Sequence, residues 1–280
     1  MGTLALQSLK DIGPVVLVGA GKMGLALARG WIAGGLPPDQ LVLVDPNASE
    51  ATVAFAAETK CRLQSQPGGV LTHVIVLAVK PQVIREVLAE LRPSVGPHTL
   101  VVSIAAGISI ASIGEGLETG RVIRTMPNTP AQIGKGITGA VAGPALHADD
   151  MDTADALLTA AGKVVWFTDE AMLDAVTAVS GSGPAYVFNM VEALAAAAER
   201  QGFAPDDAML FARETIIGAA ALLAADPSPA SKLRENVTSP KGTTAAALEV
   251  LRGADGLEAL MDRAVTAARQ RSEELGRQNG

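Results

Sequence analysis

Aromatic side chains are scarce in this chain of 280 residues: two Trp, one Tyr and five Phe, or 3%. Hydrophobic residues still make up 49%. The core is therefore built from aliphatic side chains and alanine, and no aromatic surface is available for stacking on nucleobases. Basic residues are too few and too scattered to form a stripe, and the formal net charge is −7. Together these exclude a nucleic-acid-binding surface. One cysteine, Cys61, excludes an intrachain disulfide and suits a reducing, cytoplasmic setting, where it serves as a small buried hydrophobe. Histidine is limited to His73, His98 and His147, with no HExxH motif and no Cys/His cluster. Metal catalysis and a histidine base are not expected. Nor does the start read as a secretion signal, since Lys10 and Asp11 stand where an apolar h-region belongs. The most apolar stretch, Ala185 to Ala198, contains Asn189 and Glu192 and is too short to span a bilayer. No membrane association is expected, and the mean hydropathy of +0.31 reads as alanine-rich buried helix.

What the chain does contain begins at VVLVGAGKMG, residues 15–24. An apolar, valine-rich run fits a strand buried on both faces. It enters Gly19-x-Gly21-x-x-Gly24, and a helical pattern over Lys22 to Ala33 follows. The three glycines serve a tight turn, close backbone approach to a pyrophosphate, and close packing of helix on strand. The free N–H groups of the helix start attract the anion. Further apolar runs predict strands near Leu41–Asp45, His73–Val79, Thr99–Ile104, Val122–Met126, Ile137–Ala142 and Val164–Thr168. Helical patterns at Ser49–Lys60 and Pro81–Leu91 alternate with the early ones. The fold class is therefore α/β, with a doubly wound, mostly parallel sheet.

From Glu170 onward only helices are expected, near Glu170–Val179, Pro184–Gln201, Pro205–Ala225, Pro229–Glu235, Gly242–Leu251 and Gly256–Gly276. This divides the chain into residues 1–169, a dinucleotide-binding domain, and residues 170–280, an all-α domain. The helix from Pro205 carries two apolar rows: Met209, Ile216 and Leu223 beside Leu210 and Ile217. Such a helix needs cover on more than one side, which predicts a second copy of the chain as partner.

Asp45 ends the second predicted strand, where a carboxylate can accept from a ribose 2′-OH and repel a 2′-phosphate. Local charge therefore favours NADH over NADPH. An Asp-Pro turn closing the strand is compatible with that role. Asn47 and Ser49 are within reach of the same ribose. Lys80-Pro81-Gln82 and Ser103 to Gly107 follow later strands, at the carboxyl ends where ligands bind in open α/β sheets. Met126-Pro-Asn-Thr-Pro130 places Asn128 in a fixed loop, as an amide-binding residue or as part of a turn. Ser180-Gly-Ser-Gly-Pro-Ala-Tyr186 breaks one helix and starts another. Thr238-Ser-Pro-Lys-Gly-Thr-Thr244 enters a helix at Gly242, as a carboxylate site or a solvated cap.

VGAGKMG, LAVKPQ, SIAAGI, RTMPNTP, SGSGPAYVF and NVTSPKGTT occur in this order between Val15 and Glu274. The chain closely resembles the pyrroline-5-carboxylate reductases of proline biosynthesis. The resemblance implies a Rossmann domain followed by a helical dimerisation domain, assembled as a homodimer or a ring of dimers. It also implies NAD(P)H-dependent reduction of a cyclic imine. It assigns Gly19, Ala20, Gly21, Lys22, Met23 and Gly24, with Ala78, Val79, Lys80, Pro81 and Asn236, to the dinucleotide. It places Ala105, Ala106 and Asn128 near the nicotinamide. Ser239, Gly242, Thr243 and Thr244 are assigned to the substrate, with Thr244 at the ring nitrogen as the catalytic candidate. Two positions depart from the family pattern: Lys241 stands where glycine is usual, and Ser65 where an asparagine often contacts the adenosine.

Three other activities are compatible with parts of this pattern. A six-membered imino acid differs from the substrate by one methylene. A 3-hydroxyacid dehydrogenase needs a lysine on the helix over Pro184 to Gln201, which has none. A dinucleotide-sensing protein without turnover would not need the hydroxyls of the Thr238–Thr244 loop.

Overall fold

A computed structural model describes residues 8–68 and 72–279. Residues 1–7, part of the stretch read above for a secretion signal, lie outside it. The chain divides into two compact units, 1–181 with 268–280, and 182–267. The first of these units continues past Asp169 to Gly181. The helical segment just past Asp169 packs on the sheet strands β6 and β7 defined below and so belongs to the first unit.

In the first unit, eight strands form one sheet in the order β3-β2-β1-β4-β5-β6-β7-β8. They are β1 Val15–Val18, β2 Leu41–Val44, β3 Arg62–Gln64, β4 Val74–Leu77, β5 Leu100–Ser103, β6 Val122–Met126, β7 Gly136–Ala142 and β8 Gly162–Phe167. All neighbours pair in parallel except β6 and β7. Parallel strands need a crossover. The chain between β6 and β7 has room only for the Pro-rich loop and a short 3-10 turn, Thr129–Ile133, so it returns antiparallel.

Alternate residues of each strand feed opposite faces of the sheet. Val15, Leu17, Leu41, Leu43, Val74 and Val76 pack with α1 (Lys22–Ala33), α2 (Glu50–Thr59) and, later in the chain, α5 (Ala148–Thr159). Val16, Val18, Val42, Val44, Ile75 and Leu77 pack under α3 (Ile84–Leu91) and α4 (Ile110–Leu117). The sheet is thus doubly wound, as the alternation of strand and helix implied. Trp31 of α1, fully buried, donates its indole N–H to the Leu157 carbonyl at 2.8 Å and joins α1 to α5.

The expected helix over Glu170–Val179 is shorter: α6 is Met172–Val176, and a π-helical turn over Thr177–Gly181 follows. α7 is Gly183–Arg200, α8 Pro205–Ala225, α9 Ala230–Asn236, α10 Thr243–Leu251 and α11 Leu257–Asn279.

Within the second unit, α7 packs on α8 through small side chains. Ala195 of α7 and Ala208 and Ala212 of α8 are its buried residues. Phe203 and Phe211 meet edge to face at 5.2 Å. The outward faces stay apolar: Phe188, Leu210, Phe211, Ile217, Leu222 and Leu223 are all exposed. Among the described residues α8, and not the Ala185–Ala198 stretch, is the helix long and apolar enough to cross a membrane by length and composition.

Candidate functional site

The glycine motif lies at the end of β1, between β2 and β4, where the strand order reverses and an open α/β sheet leaves a crevice. Gly19 has φ +91°, and a Cβ there would stand 2.7 Å from the Ala78 carbonyl oxygen. Only glycine fits. A Cβ at Gly24 would strike the Gly19 carbonyl oxygen, so α1 packs against the turn as closely as its backbone allows. Gly21 is different, because a Cβ there would meet nothing within 4 Å. It faces the open crevice as the N-cap of α1, with no side-chain cap.

Ala20, between them, is pinned by two side chains. Its N–H donates to Asp45 Oδ2 at 2.9 Å, and its carbonyl accepts from Thr52 Oγ1 at 2.9 Å. The other oxygen of Asp45 accepts the Asn47 N–H at 2.9 Å. Asp45 therefore closes its own turn and also fixes the glycine loop, a second task that the sequence reading had not given it. Thr52 is fully buried and was not singled out from the sequence.

A cleft of about 540 Å3 opens over this loop. Gly19, Gly21, Asp45, Asn47, Ala78, Val79 and Lys80 line it, with Ser65 and Gln66 from the turn after β3. Its size falls in the range of small-molecule sites. Uncapped N–H groups at α1, a glycine facing open space and a carboxylate at the end of β2 fit a pyrophosphate with an adjoining ribose. The far wall is α3, through Glu86, Val87 and Glu90, with Val83 just before it. Sequence reasoning missed this wall, although the i, i+4 pairs Val83/Val87 and Glu86/Glu90 are visible on the helix that follows Lys80. Among the described lining residues Lys80 is the one cation, against Asp45, Glu86 and Glu90.

Other expected residues lie outside the cleft lining. Lys22 is exposed at the start of α1, Met23 is half-buried, and Pro81 opens a 3-10 turn. Ala105 is buried after β5, its N–H donating to Ser103 Oγ at 3.2 Å, and Ala106 is exposed beside it. Asn128 is 8% exposed and accepts the Ile137 N–H on Oδ1 at 3.0 Å. That bond ties the β6–β7 loop to β7 and leaves the amide NH2 as the available donor. The π turn reaches the same loop, since a Cβ at Gly181 would lie 2.8 Å from the terminal methyl of Met126.

In the second unit, the loop after α9 is a tight turn. The Gly242 N–H donates to the Ser239 carbonyl at 3.0 Å. That N–H is thereby removed from the set that can meet a ligand, and Gly242 serves as the N-cap of α10 without a side-chain cap. The next N–H groups, of Thr243, Thr244 and Ala245, have no backbone acceptor among the described residues. Nor do the hydroxyls of Ser239, Thr243 and Thr244 have a hydrogen-bond partner among them. Ser239, Thr243 and Asn236 are exposed, and Thr244 is half-buried. Three hydroxyls and an open helix start are suited to hold a small carboxylate.

The comparisons with known proteins cover nearly all of the chain. The family described as pyrroline-5-carboxylate reductase dimerisation matches residues 170–275. Residues 14–107 match the family described as NADP oxidoreductase coenzyme F420-dependent. A pyrroline-5-carboxylate reductase from Pseudomonas aeruginosa is 41% identical over 271 residues, covering 95% of this chain and 98% of that one. The solved pyrroline-5-carboxylate reductase of Coxiella burnetii superposes with a TM-score of 0.86 at 33% identity, over 95% of this chain and 99% of its own. The Plasmodium falciparum pyrroline carboxylate reductase, solved with NADP bound, gives 0.80 at 26% identity, again over 95% and 99%.

Proposed function

Because this chain belongs to the pyrroline-5-carboxylate reductase family, we infer that it reduces 1-pyrroline-5-carboxylate to L-proline with NADH or NADPH, the closing step of proline biosynthesis. The single observation that carries this reading is the 41% identity to a curated reductase across 95% of the chain, through both the glycine crevice and the α10 loop. When bound, the reduced nicotinamide supplies the hydride that becomes the new C–H bond at the imine carbon. The C=N electron pair moves to the ring nitrogen, which keeps the proton of the iminium.

In this reading Gly19, Ala20, Gly21, Lys22, Met23 and Gly24 receive the pyrophosphate. Asp45 and Asn47 meet the adenosine ribose, and Ala78, Val79, Lys80 and Pro81 form the rim; Asn236 is a further dinucleotide residue. Ala105 and Ala106 leave room for a flat ring, and the amide of Asn128 donates to it. Ser239, with the N–H groups of Thr243 and Thr244, anchors the substrate carboxylate. The Thr244 hydroxyl hydrogen-bonds the ring nitrogen and aligns it. No strong base is needed, because the imine is already electrophilic. Positioning of this kind supplies up to roughly 7–11 kcal/mol in ideal cases.

Residues 1–169 serve the dinucleotide, and residues 170–280 serve dimerisation and substrate. The apolar outer faces of α7 and α8 are buried by a second copy rather than by a bilayer, and dimers assemble further into a ring. The setting is the cytoplasm. With Asp45, Glu86 and Glu90 facing one lysine in the cleft, NADH is the preferred donor. A reduced-nicotinamide consumption assay tests the reading with 1-pyrroline-5-carboxylate, its six-membered homologue, and each dinucleotide. Consumption with the five-membered imine supports it. Dinucleotide binding without consumption for either imine rejects it.

A further inference from the structure

The loop from β5 to α4 carries Ala105, Ala106 and Gly107, and it is held at both ends and in its middle by groups distant in sequence. At the near end, the Thr125 hydroxyl of β6 donates to the Ser103 carbonyl at 3.1 Å. At the far end, Ser109 caps α4 through the Ser112 N–H, and the Ile110 N–H goes elsewhere. It donates to Glu170 Oε1 at 2.9 Å, across 60 residues of sequence. The same oxygen accepts from Arg124 Nη1 of β6 at 2.8 Å. The Arg124 side chain is 12% exposed and that of Glu170 31%, so this charge-assisted pair is partly shielded from water. In the middle, Gly107 has φ +73°, and a Cβ there would lie 3.3 Å from the Gly276 backbone nitrogen of α11. That stretch of α11 is itself fixed, because the buried Ser272 hydroxyl donates to Asp174 Oδ1 at 2.6 Å. Glu170 and Asp174 thus lie on one short segment. The first fixes the far end of the loop, and the second fixes the helix that abuts its middle. All of these residues belong to the first unit.

We propose that Glu170 and Asp174 are positioning residues for hydride transfer, bracing the Ala105–Gly107 loop as a fixed wall beside the nicotinamide ring. This rests on the reading in which Ala105 and Ala106 border that ring. Alanine and glycine have no side chain long enough to grip a ring, so the wall orients it only if its backbone is rigid. Without the brace the ring can tilt, and a misplacement of about 1 Å costs on the order of a hundredfold in rate. The pyrophosphate and the adenosine ribose are held elsewhere, by the glycine loop and Asp45. Losing the brace therefore lowers kcat and leaves dinucleotide affinity nearly constant.

The test uses the full-length protein with Glu170→Ala and Asp174→Ala, the conservative Glu170→Gln and Asp174→Asn, and Asp150→Asn as control. Asp150 forms a second shielded ion pair, with Arg121. The Arg121 carbonyl accepts the Val101 N–H, at the opposite end of β5 from Ser103. In both alanine variants kcat with 1-pyrroline-5-carboxylate falls about tenfold, while the NADH dissociation constant stays within about twofold of wild type. Glu170→Gln and Asp174→Asn keep an acceptor oxygen for the Ile110 N–H and the Ser272 hydroxyl, and hold kcat within about threefold. Asp150→Asn melts lower and keeps the wild-type kcat. Hydrogen exchange gives an arm without turnover: NADH slows exchange over residues 104–110 in the wild type and fails to do so in the alanine variants. Unchanged kcat and unchanged exchange in those variants overturn the proposal and leave the reductase reading standing. An equal loss of kcat in Asp150→Asn overturns it as well, since general destabilisation then explains the effect. A loss confined to NADH binding also overturns it. The predicted exchange difference alongside a wild type that reduces neither imine supports the brace and rejects the reductase reading.

Discussion

Asp45→Asn separates the structural and recognition roles of one carboxylate. In the native protein, the two oxygens accept the N–H groups of Ala20 and Asn47, each at 2.9 Å. Asparagine brings one acceptor oxygen and an NH2 group, so one backbone donor loses its partner. An unsatisfied buried donor costs about 1–3 kcal/mol. Asp45 is only half-buried, and water recovers part of that, which places the loss near 1 kcal/mol and the melting shift at about 2–4 °C. The effect on the dinucleotide is larger. A carboxylate that accepts from a ribose hydroxyl contributes about 1.5–3 kcal/mol, and the same charge disfavours a 2′-phosphate. The ratio of kcat/KM for NADH to that for NADPH should fall by roughly tenfold or more. Initial rates with each dinucleotide at saturating imine, beside a melting curve, read both effects. If the variant melts lower while its cofactor ratio stays within twofold of wild type, Asp45 only braces the glycine loop, and the account of cofactor preference is wrong.

Thr244→Ala removes the hydroxyl assigned to the ring nitrogen and should lower kcat/KM for the imine by roughly tenfold or more, about 1.4 kcal/mol, in steady-state assays. Unchanged kinetics take Thr244 out of the site. Gly24→Ala puts a Cβ against the Gly19 carbonyl, so the loop must shift. NADH titration should show binding weakened by at least tenfold, with stability lower by about 2 kcal/mol, and wild-type affinity would mean that α1 has room to move. Leu223→Glu sets a charge on the exposed apolar face of α8 and should convert a wild-type dimer to monomer at micromolar concentration in sedimentation. An unaltered mass would place the interface elsewhere.

The sheet was legible where strands are buried on both faces. VVLV, LVLV and VIVL are continuous apolar runs because both sides of the sheet are covered, and they lie within a residue or two of the expected ends. β3 left no such trace. It is a three-residue edge strand of Arg62, Leu63 and Gln64, exposed or only half-buried along its length, so its sequence has no apolar run to read. α4 and α5 went unmarked, although both begin at side-chain caps. The Ser109 side chain accepts the Ser112 N–H, and His147 forms a capping box with Asp150. In the cleft, the glycine loop could be read from spacing because its shape depends on the missing Cβ at Gly19 and Gly24. Glu86 and Glu90 could not, because facing the cleft is a property of how α3 lies on the sheet. Thr52 was hidden for the same reason: its bond to Ala20 spans 32 residues of sequence.

The central claim is a direct transfer of hydride from dinucleotide to cyclic imine. The measurement closest to it follows deuterium from C4 of reduced nicotinamide, on either face, into the product of a single turnover with 1-pyrroline-5-carboxylate. The account predicts L-proline carrying one deuterium at the former imine carbon from one face of the ring, with no exchange into solvent. Proline formed without label from either face, or dinucleotide oxidised with no proline formed, would contradict it.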